Sequence, residues 1–438
     1  MKRFTWILIV AAAVAAPATP GRLAAQDAPA VRELEVAGIP VIIKPNDASD
    51  VIAVRLYRRG GSATLTPATA GVDRVVGVLL TRGTEEYSRD AFAARAAATG
   101  TQIGSEAAYD FSVVRLQAVA PHWDAAWELF TQAVLHPTFP EAEVALVRDQ
   151  IVNDLRRRQD DPDTWLGVMA DSLFYAGHPY AIDPTGTVAA VTGLTRDALV
   201  ARHAERMVKS NLLFVVVGNV DADDVEDRIE DAFGDLPAGG APAGPVTAVT
   251  VSPAKLAVTE REMPTNYILG RFAAPDPGHP DYAAMRVGID ILGDRLFEEV
   301  RTKRNLTYAV AAGLSGRQAN YGLLYVTAVD PAATLPVMFA EVERLKTEPI
   351  PAERLAENVN VFLTGYWLGQ ETNMGQATTL GTFELLGGGW ENADAFVERV
   401  QAVTPADIQR VAQQYISGLH FVVIGDPAKM DRGLFTSL

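Results

Sequence analysis

YDFSVVRLQAVAPHWDAAWELFTQAVLHPTF, residues 109–139, has a second version in the same chain: ANYGLLYVTAVDPAATLPVMFAEVERLKTEP, residues 319–349. Each version begins with alternating residues, the pattern of a strand with one buried face. Each then passes through Ala-Val-x-Pro (Ala118–Pro121 and Ala328–Pro331) into apolar residues spaced three or four apart, the period of an amphipathic helix. The two prolines lie 210 residues apart. A second pair follows at nearly the same offset. LTRDALVARHAERMVKSNLLFVVVGNV (194–220) parallels VTPADIQRVAQQYISGLHFVVIGDP (403–427), each a Thr-capped helix running into a buried strand that ends in Gly. Their glycines, Gly218 and Gly425, are 207 apart. Two repeats in one order at one offset indicate a duplicated fold unit.

Between the repeats, PAGGAPAGPVTAVTVSPA (237–254) is rich in Pro, Gly and Ala and poor in charge, and reads as an extended linker. The expected organisation is therefore a first domain over 26–236, the linker at 237–254 and a second domain over 255–438. Strands are expected at 51–58, 111–119, 265–273 and 321–329, with helices in runs between them. That pattern predicts an α+β fold, an antiparallel sheet with helices packed on one face, built twice.

The N-terminus has the layout of a secretory leader: Lys2-Arg3, an apolar run from Trp6 to Ala16, then Leu23-Ala24-Ala25. Residues 1–25 are expected to be a signal peptide cleaved near Ala25, which predicts an exported, periplasmic protein. The apolar run is too short to span a membrane, and no later stretch is long enough. The chain has no cysteine, so neither a disulfide framework nor a thiol nucleophile is available. Loss of the leader removes three basic residues and no acid, leaving 35 basic against 54 acidic residues, a net charge of about −19. Such a balance disfavours nucleic acid and anionic membrane as partners.

The functional signal lies in RLYRRGGSATLTPATAGVDRVVGVLLTRGT, residues 55–84. Gly61-Ser62, Pro67, Gly71 and Gly83-Thr84 form a frame that resembles the inverted-zincin peptidases, the insulinase or pitrilysin family, M16. In that family the frame encloses H-x-x-E-H on a helix, where two histidines at i and i+4 converge on zinc and the glutamate acts as general base. Here those positions hold Arg74, Gly77 and Val78. Arg74 only donates and carries a fixed positive charge, Val78 offers no lone pair, and Gly77 has no side chain. The family's third ligand, a Glu about 76 residues after the second His, falls on Asp154, one methylene short of the usual reach. Asp161-Pro162 supports that register. No metal is expected in this chain. The six histidines (122, 136, 178, 203, 279 and 420) are scattered, and His178 in GHPY reads as a turn residue with a structural hydrogen bond.

The resemblance covers residues 30–430 and implies two related halves that close like a clam shell. It also assigns a second element, ILGDRLFEEVRTKRNLTYAV (291–310). In relatives an R-x₆-Y pair in the C-terminal half faces the zinc and donates to the substrate carbonyl, and Arg301 and Tyr308 match it. The residues alone also fit a plainer role, with Arg301 paired to Glu298 or Glu299 on an exposed face. A further element implied by the family is the edge-strand segment 99–111, where Gly100, Gly104 and Ser105 would border an extended peptide bound by β-augmentation; a plain hairpin strand fits that sequence as well.

Loss of the metal helix beside retention of the Arg/Tyr element points to a non-catalytic subunit of a two-chain zinc peptidase. It would be inactive alone, paired with a related zinc-bearing chain, and would help enclose a peptide substrate. The alternative is a structural or binding protein of the same fold with no peptidase role. An independent serine hydrolase is disfavoured, because no G-x-S-x-G elbow is present.

Overall fold

A computed structural model describes residues 31–426 and 429–436. The expected leader and its cleavage point near Ala25 lie outside the described residues. The first half contains strands β1 (Arg32–Val36), β2 (Ile39–Pro45), β3 (Val51–Arg59), β4 (Gln102–Ala107), β5 (Phe111–Val119) and β6 (Leu212–Gly218). Its helices are α1 (Val72–Leu79), α2 (Arg89–Thr99), α3 (Trp123–Leu135), α4 (Glu141–Arg157), α5 (Pro162–Phe174), α6 (Val188–Gly193), α7 (Arg196–Arg206) and α8 (Ala222–Phe233). The second half contains β7 (Lys255–Glu260), β8 (Asn266–Ala273), β9 (Val310–Leu314), β10 (Tyr321–Ala328) and β11 (His420–Gly425). With them are α9 (Tyr282–Leu296), α10 (Pro331–Thr347), α11 (Ala352–Gly369), α12 (Asn373–Leu386), α13 (Asn392–Gln401) and α14 (Pro405–Tyr415).

The sheets repeat one another. The first runs β1-β2-β6-β3-β5-β4 and the second β7-β11-β8-β10-β9, so β2, β6, β3, β5 and β4 correspond in order to the second sheet. The sequence repeat 109–139/319–349 becomes β5–α3 and β10–α10, and the second repeat becomes α7–β6 and α14–β11. Thr195 and Thr404 cap α7 and α14, and Thr404 completes a capping box with Asp407. Pairing is antiparallel except for one parallel pair in each sheet, β2 with β6 and β7 with β11. That pairing was not legible in the strand patterns, because β2, β6 and β11 are almost wholly apolar and show no alternation.

One face of each sheet packs on helices of its own half, forming two large apolar cores. The other face is covered as well, by a helix from the opposite half. Ala377 and Leu380 of α12 pack on Ala53, Tyr57, Val215 and Val217 of the first sheet. In return, Leu166 and Ala170 of α5 pack on Leu269, Val422 and Ile424 of the second. Each buried Leu in such a contact is worth roughly 1.5–3 kcal/mol. The halves therefore interlock by exchanging helices.

A polar seam joins them too. Asp171 of α5 receives hydrogen bonds from Arg317 Nη1, at 2.8 Å, and from Arg271 of β8. Burial favours its protonated form, but the two guanidiniums hold Asp171 below the usual carboxylate range. Arg317 stacks over Tyr109 at 3.6 Å and Arg271 over Tyr321 at 4.0 Å. Residues 237–254 form neither helix nor strand and run along this seam, where His178 Nε2 donates to Thr247 O at 2.8 Å.

Candidate functional site

Helix α1 starts where two backbones cross. Gly71 has φ of 89° and Gly186 has φ of 105°, and a Cβ on Gly71 would lie 2.7 Å from Gly186 Cα. Neither position accepts a side chain without strain, which gives a reason for the glycine that the frame around α1 has at position 71. The crossing places the 183–187 loop beside the first turn of α1.

Arg74 and Val78 occupy one face of α1 and are both partly exposed. Arg74 Nη2 donates to Asp154 Oδ2 at 3.3 Å, and its Nη1 approaches Thr185 O at 3.4 Å. Asp154 thus lies within reach of this face, engaged by the Arg74 guanidinium. Burial and the nearby Arg158 charge both lower the Arg74 pKa from its usual value. Asp154 is also engaged by Arg157. Among the described residues no group of three His, Cys, Asp or Glu side chains is arranged to hold a metal. Two positive side chains around one short carboxylate do not suit a divalent cation, so zinc does not fit this donor set.

Gly77 is buried against the edge strand. A Cβ on Gly77 would lie 2.4 Å from Ser105 Oγ and 2.8 Å from Ser105 Cβ. Any side chain at Gly77, where the resemblance would put the general base, would therefore run into β4. Of the other segment residues, Gly104 and Ser105 lie in β4, at the open edge of the sheet, while Gly100 ends α2 in a left-handed turn at φ 65°.

Between α4, α5 and the 181–189 segment lies a cavity of about 660 Å³. Ala70, Leu155, Trp165, Val168, Ile182 and Val188 supply its apolar wall. Arg158 and Asp183 stand in the same lining, joined at 2.9 Å, with Arg158 also donating to Thr185 Oγ1 at 2.7 Å. Such a volume suits one or two large side chains of a peptide. Sequence reading missed it because its lining comes from five separate segments with no motif of their own.

The second element is built on a distortion. Helix α9 runs directly into a π-helical stretch, Phe297–Lys303, a rare form often found at functional sites. Asn305 then turns with φ of 51°, and Leu306 N bonds back to Val300 O at 3.0 Å. Thr307, buried, is tied to Thr327 across the sheet, and Tyr308 beside it is 82% exposed. The Arg301 guanidinium lies 4.7 Å from the ring centres of both Tyr308 and Phe297, between two aromatic faces. Arg301 makes no ion pair among the described residues. Glu298 and Glu299 are taken by Lys303, at 2.9 and 2.7 Å, and Glu299 also by Arg304. The alternative pairing of Arg301 with those glutamates is therefore not formed. Phe297, part of the Arg295-Leu296-Phe297 run that fits the family pattern ahead of the pair, lies four residues before Arg301, a spacing that puts the two on one helix face.

The structure brings Arg74 to Asp154, Gly77 to Ser105 and Arg301 to Tyr308. It does not join the two elements: no hydrogen bond, ion pair or ring contact links 72–79 with 295–308 among the described residues. His178 caps a short turn, accepting from Tyr180 N at 3.1 Å. Gly387, Gly388 and Gly389 end α12 as a loop, with φ of 80° and 127° at the last two. No helix among the described residues is long and apolar enough to cross a membrane.

Two family models match the chain in succession, "Insulinase (Peptidase family M16)" over residues 41–183 and "Peptidase M16 inactive domain" over 193–362. An uncharacterized zinc protease of Mycobacterium leprae is 24% identical over 412 residues, 90% of this chain and 91% of that protein. A protein of Helicobacter pylori described as a non-peptidase homolog is 22% identical, over 64% of this chain and 66% of its own length. The crystal structure of a peptidase M16 inactive domain from Pseudomonas fluorescens superposes with a TM-score of 0.82 at 22% identity, covering 90% of this chain and 98% of that one. With the duplicated α+β halves and the frame around α1, these matches make the chain a member of the M16 insulinase peptidase family.

Proposed function

We propose that this protein is the non-catalytic subunit of a two-chain M16 peptidase, bringing Arg301 and Tyr308 to a partner that carries an intact H-x-x-E-H helix and its zinc. One observation carries the reading: Arg301 and Tyr308 are stacked, accessible and without ion pairs, while the metal face of the same chain is closed by Arg74, Asp154 and Ser105. A guanidinium and a phenol held side by side are donors suited to an oxyanion that develops on a bound peptide carbonyl. The stacking on Phe297 orients the guanidinium without consuming its N–H groups. The apolar cavity would hold a side chain of the enclosed peptide, and the open edge of β4 would pair with its backbone. We also read residues 1–25 as a leader removed near Ala25, which places the complex in the periplasm.

The test is reconstitution. The mature chain should show no peptide cleavage alone, should co-purify with a zinc-bearing M16 chain from its source, and should raise that partner's turnover. Failure to associate with every such chain would instead favour a structural or binding role for this fold, the reading that the Helicobacter pylori non-peptidase homolog supports by its description.

A further inference from the structure

One residue before Arg74, Asp73 is buried, and three guanidiniums gather around its single carboxylate. Arg202 of α7 is fully engaged. Its Nε and Nη2 donate to Asp73 at 2.8 Å each, Nη2 also reaches Thr64 Oγ1 at 2.7 Å, and Nη1 reaches the exposed Glu205 at 3.2 Å. The other two are not engaged. Arg58, the penultimate residue of β3, is 1% exposed, and Arg206, which ends α7, is 4% exposed. Neither guanidinium has a hydrogen bond or ion pair among the described residues. Arg58 Nε and Nη2 and Arg206 Nε are sealed from solvent without partners, as are Ser62 Oγ and His203 Nδ1. All the charged members feel one another's fields: Asp73 interacts with Arg58, Arg202 and Arg206, and Arg58 acts on His203.

A guanidinium cannot shed its charge at neutral pH, and burying one unpaired costs several kcal/mol. His203 does not add to the charge, because burial and Arg58 push its pKa down to about 4. Three positive charges against Asp73, with Glu205 at the rim, leave about one positive charge uncompensated. Water could satisfy the free N–H groups but not that charge. The space is tight as well. Gly60 closes it with φ of 113°, where a Cβ would lie 2.6 Å from Thr64 Cγ2 and 3.3 Å from Arg206 Nη2. We propose that Arg58, Arg206 and Ser62 enclose a small monovalent inorganic anion of chloride's size, beside the Asp73–Arg202 pair. The site would clamp the start of α1 to the ends of β3 and α7. It is independent of any peptidase role.

The experiment compares thermal unfolding of the full mature chain in sodium chloride and in sodium gluconate at equal ionic strength. Chloride should raise the wild-type Tm by about 2–4 °C and saturate as a single site. Arg58→Met and Arg206→Met should lose that shift. Crystals of the wild type grown in bromide should show one anomalous peak between Arg58 and Arg206. Equal Tm values in the two salts, an undiminished shift in both variants, or a bromide map without that peak would each overturn the proposal. Should a variant fail to fold, the wild-type bromide map decides alone.

Discussion

Gly77→Ala tests whether the edge strand has closed over the old base position. Two effects compete. Alanine in a helix interior is favoured over glycine by about 0.5–1 kcal/mol. Against that, the new methyl would sit 2.4 Å from Ser105 Oγ and 2.8 Å from Ser105 Cβ, where non-bonded atoms prefer about 3.5–4.0 Å. The Cβ contact cannot be relieved by a rotamer change, so α1 or β4 must shift, and overpacking of this kind costs about 1–3 kcal/mol. The cost wins, and Gly77→Ala should lower stability by about 1–2 kcal/mol despite its better helix propensity. Ser105→Gly removes both offending atoms, so the double variant should recover the lost stability, with a coupling of about 1–3 kcal/mol. Urea unfolding followed by tryptophan fluorescence on the four proteins measures the cycle. A stabilised Gly77→Ala, or additivity with Ser105→Gly, would refute the packing argument. By the same reasoning, the triple change Arg74→His, Gly77→Glu, Val78→His should bind no stoichiometric zinc by elemental analysis, and one zinc per chain would refute it.

Tyr308→Phe and Arg301→Lys should each reduce kcat of the reconstituted complex, the former by about 10²-fold, without altering assembly; full turnover by both would remove these residues from the chemistry. Arg74→Ala breaks only a partly exposed pair and should change stability by less than about 1 kcal/mol, whereas Asp73→Asn strips a buried bidentate partner and should cost about 3–5 kcal/mol; urea midpoints distinguish them. The pH dependence follows the same groups. Burial works against ionisation of Asp73 and Asp171, but their arginine partners hold both below the usual range, so their contribution is full above about pH 4 and is lost as pH falls through the lowered values. His203, pushed to about 4 by burial, adds a loss that begins as pH drops below its unfolded value of roughly 6.5. Stability measured between pH 7 and pH 3 should therefore fall in two stages, the first absent in a His203→Phe variant.

What could be read from the sequence was whatever lies along the chain. The offsets of 210 and 207 residues located four elements in each half, because hydrophobic period and capping residues are local. The register that set Asp154 opposite Arg74, and the seven-residue step from Arg301 to Tyr308, came from matching a family pattern and proved to be contacts of 3.3 and 4.7 Å. What lay across space was hidden. Nothing local shows that Ser105 fills the room a side chain at Gly77 would need, or that Arg58 and Arg206 are buried without partners near the carboxylate that Arg202 holds. The π-helical stretch was also invisible, since Phe297–Lys303 has the composition of an ordinary exposed helix.

The exchange of α5 and α12 between the sheets sets a limit on truncation. A fragment ending before residue 237 would carry α5 with its apolar side bare and a sheet stripped of α12 on one face; a fragment starting at 255 would have the mirror problem. Neither half is a self-sufficient module, so cutting the gene at the most obvious boundary in its sequence should yield two sticky, poorly soluble pieces. Nicking the intact protein within 237–254 should instead leave a non-covalent pair that elutes as one. The duplication that created two copies thus also made each copy dependent on the other.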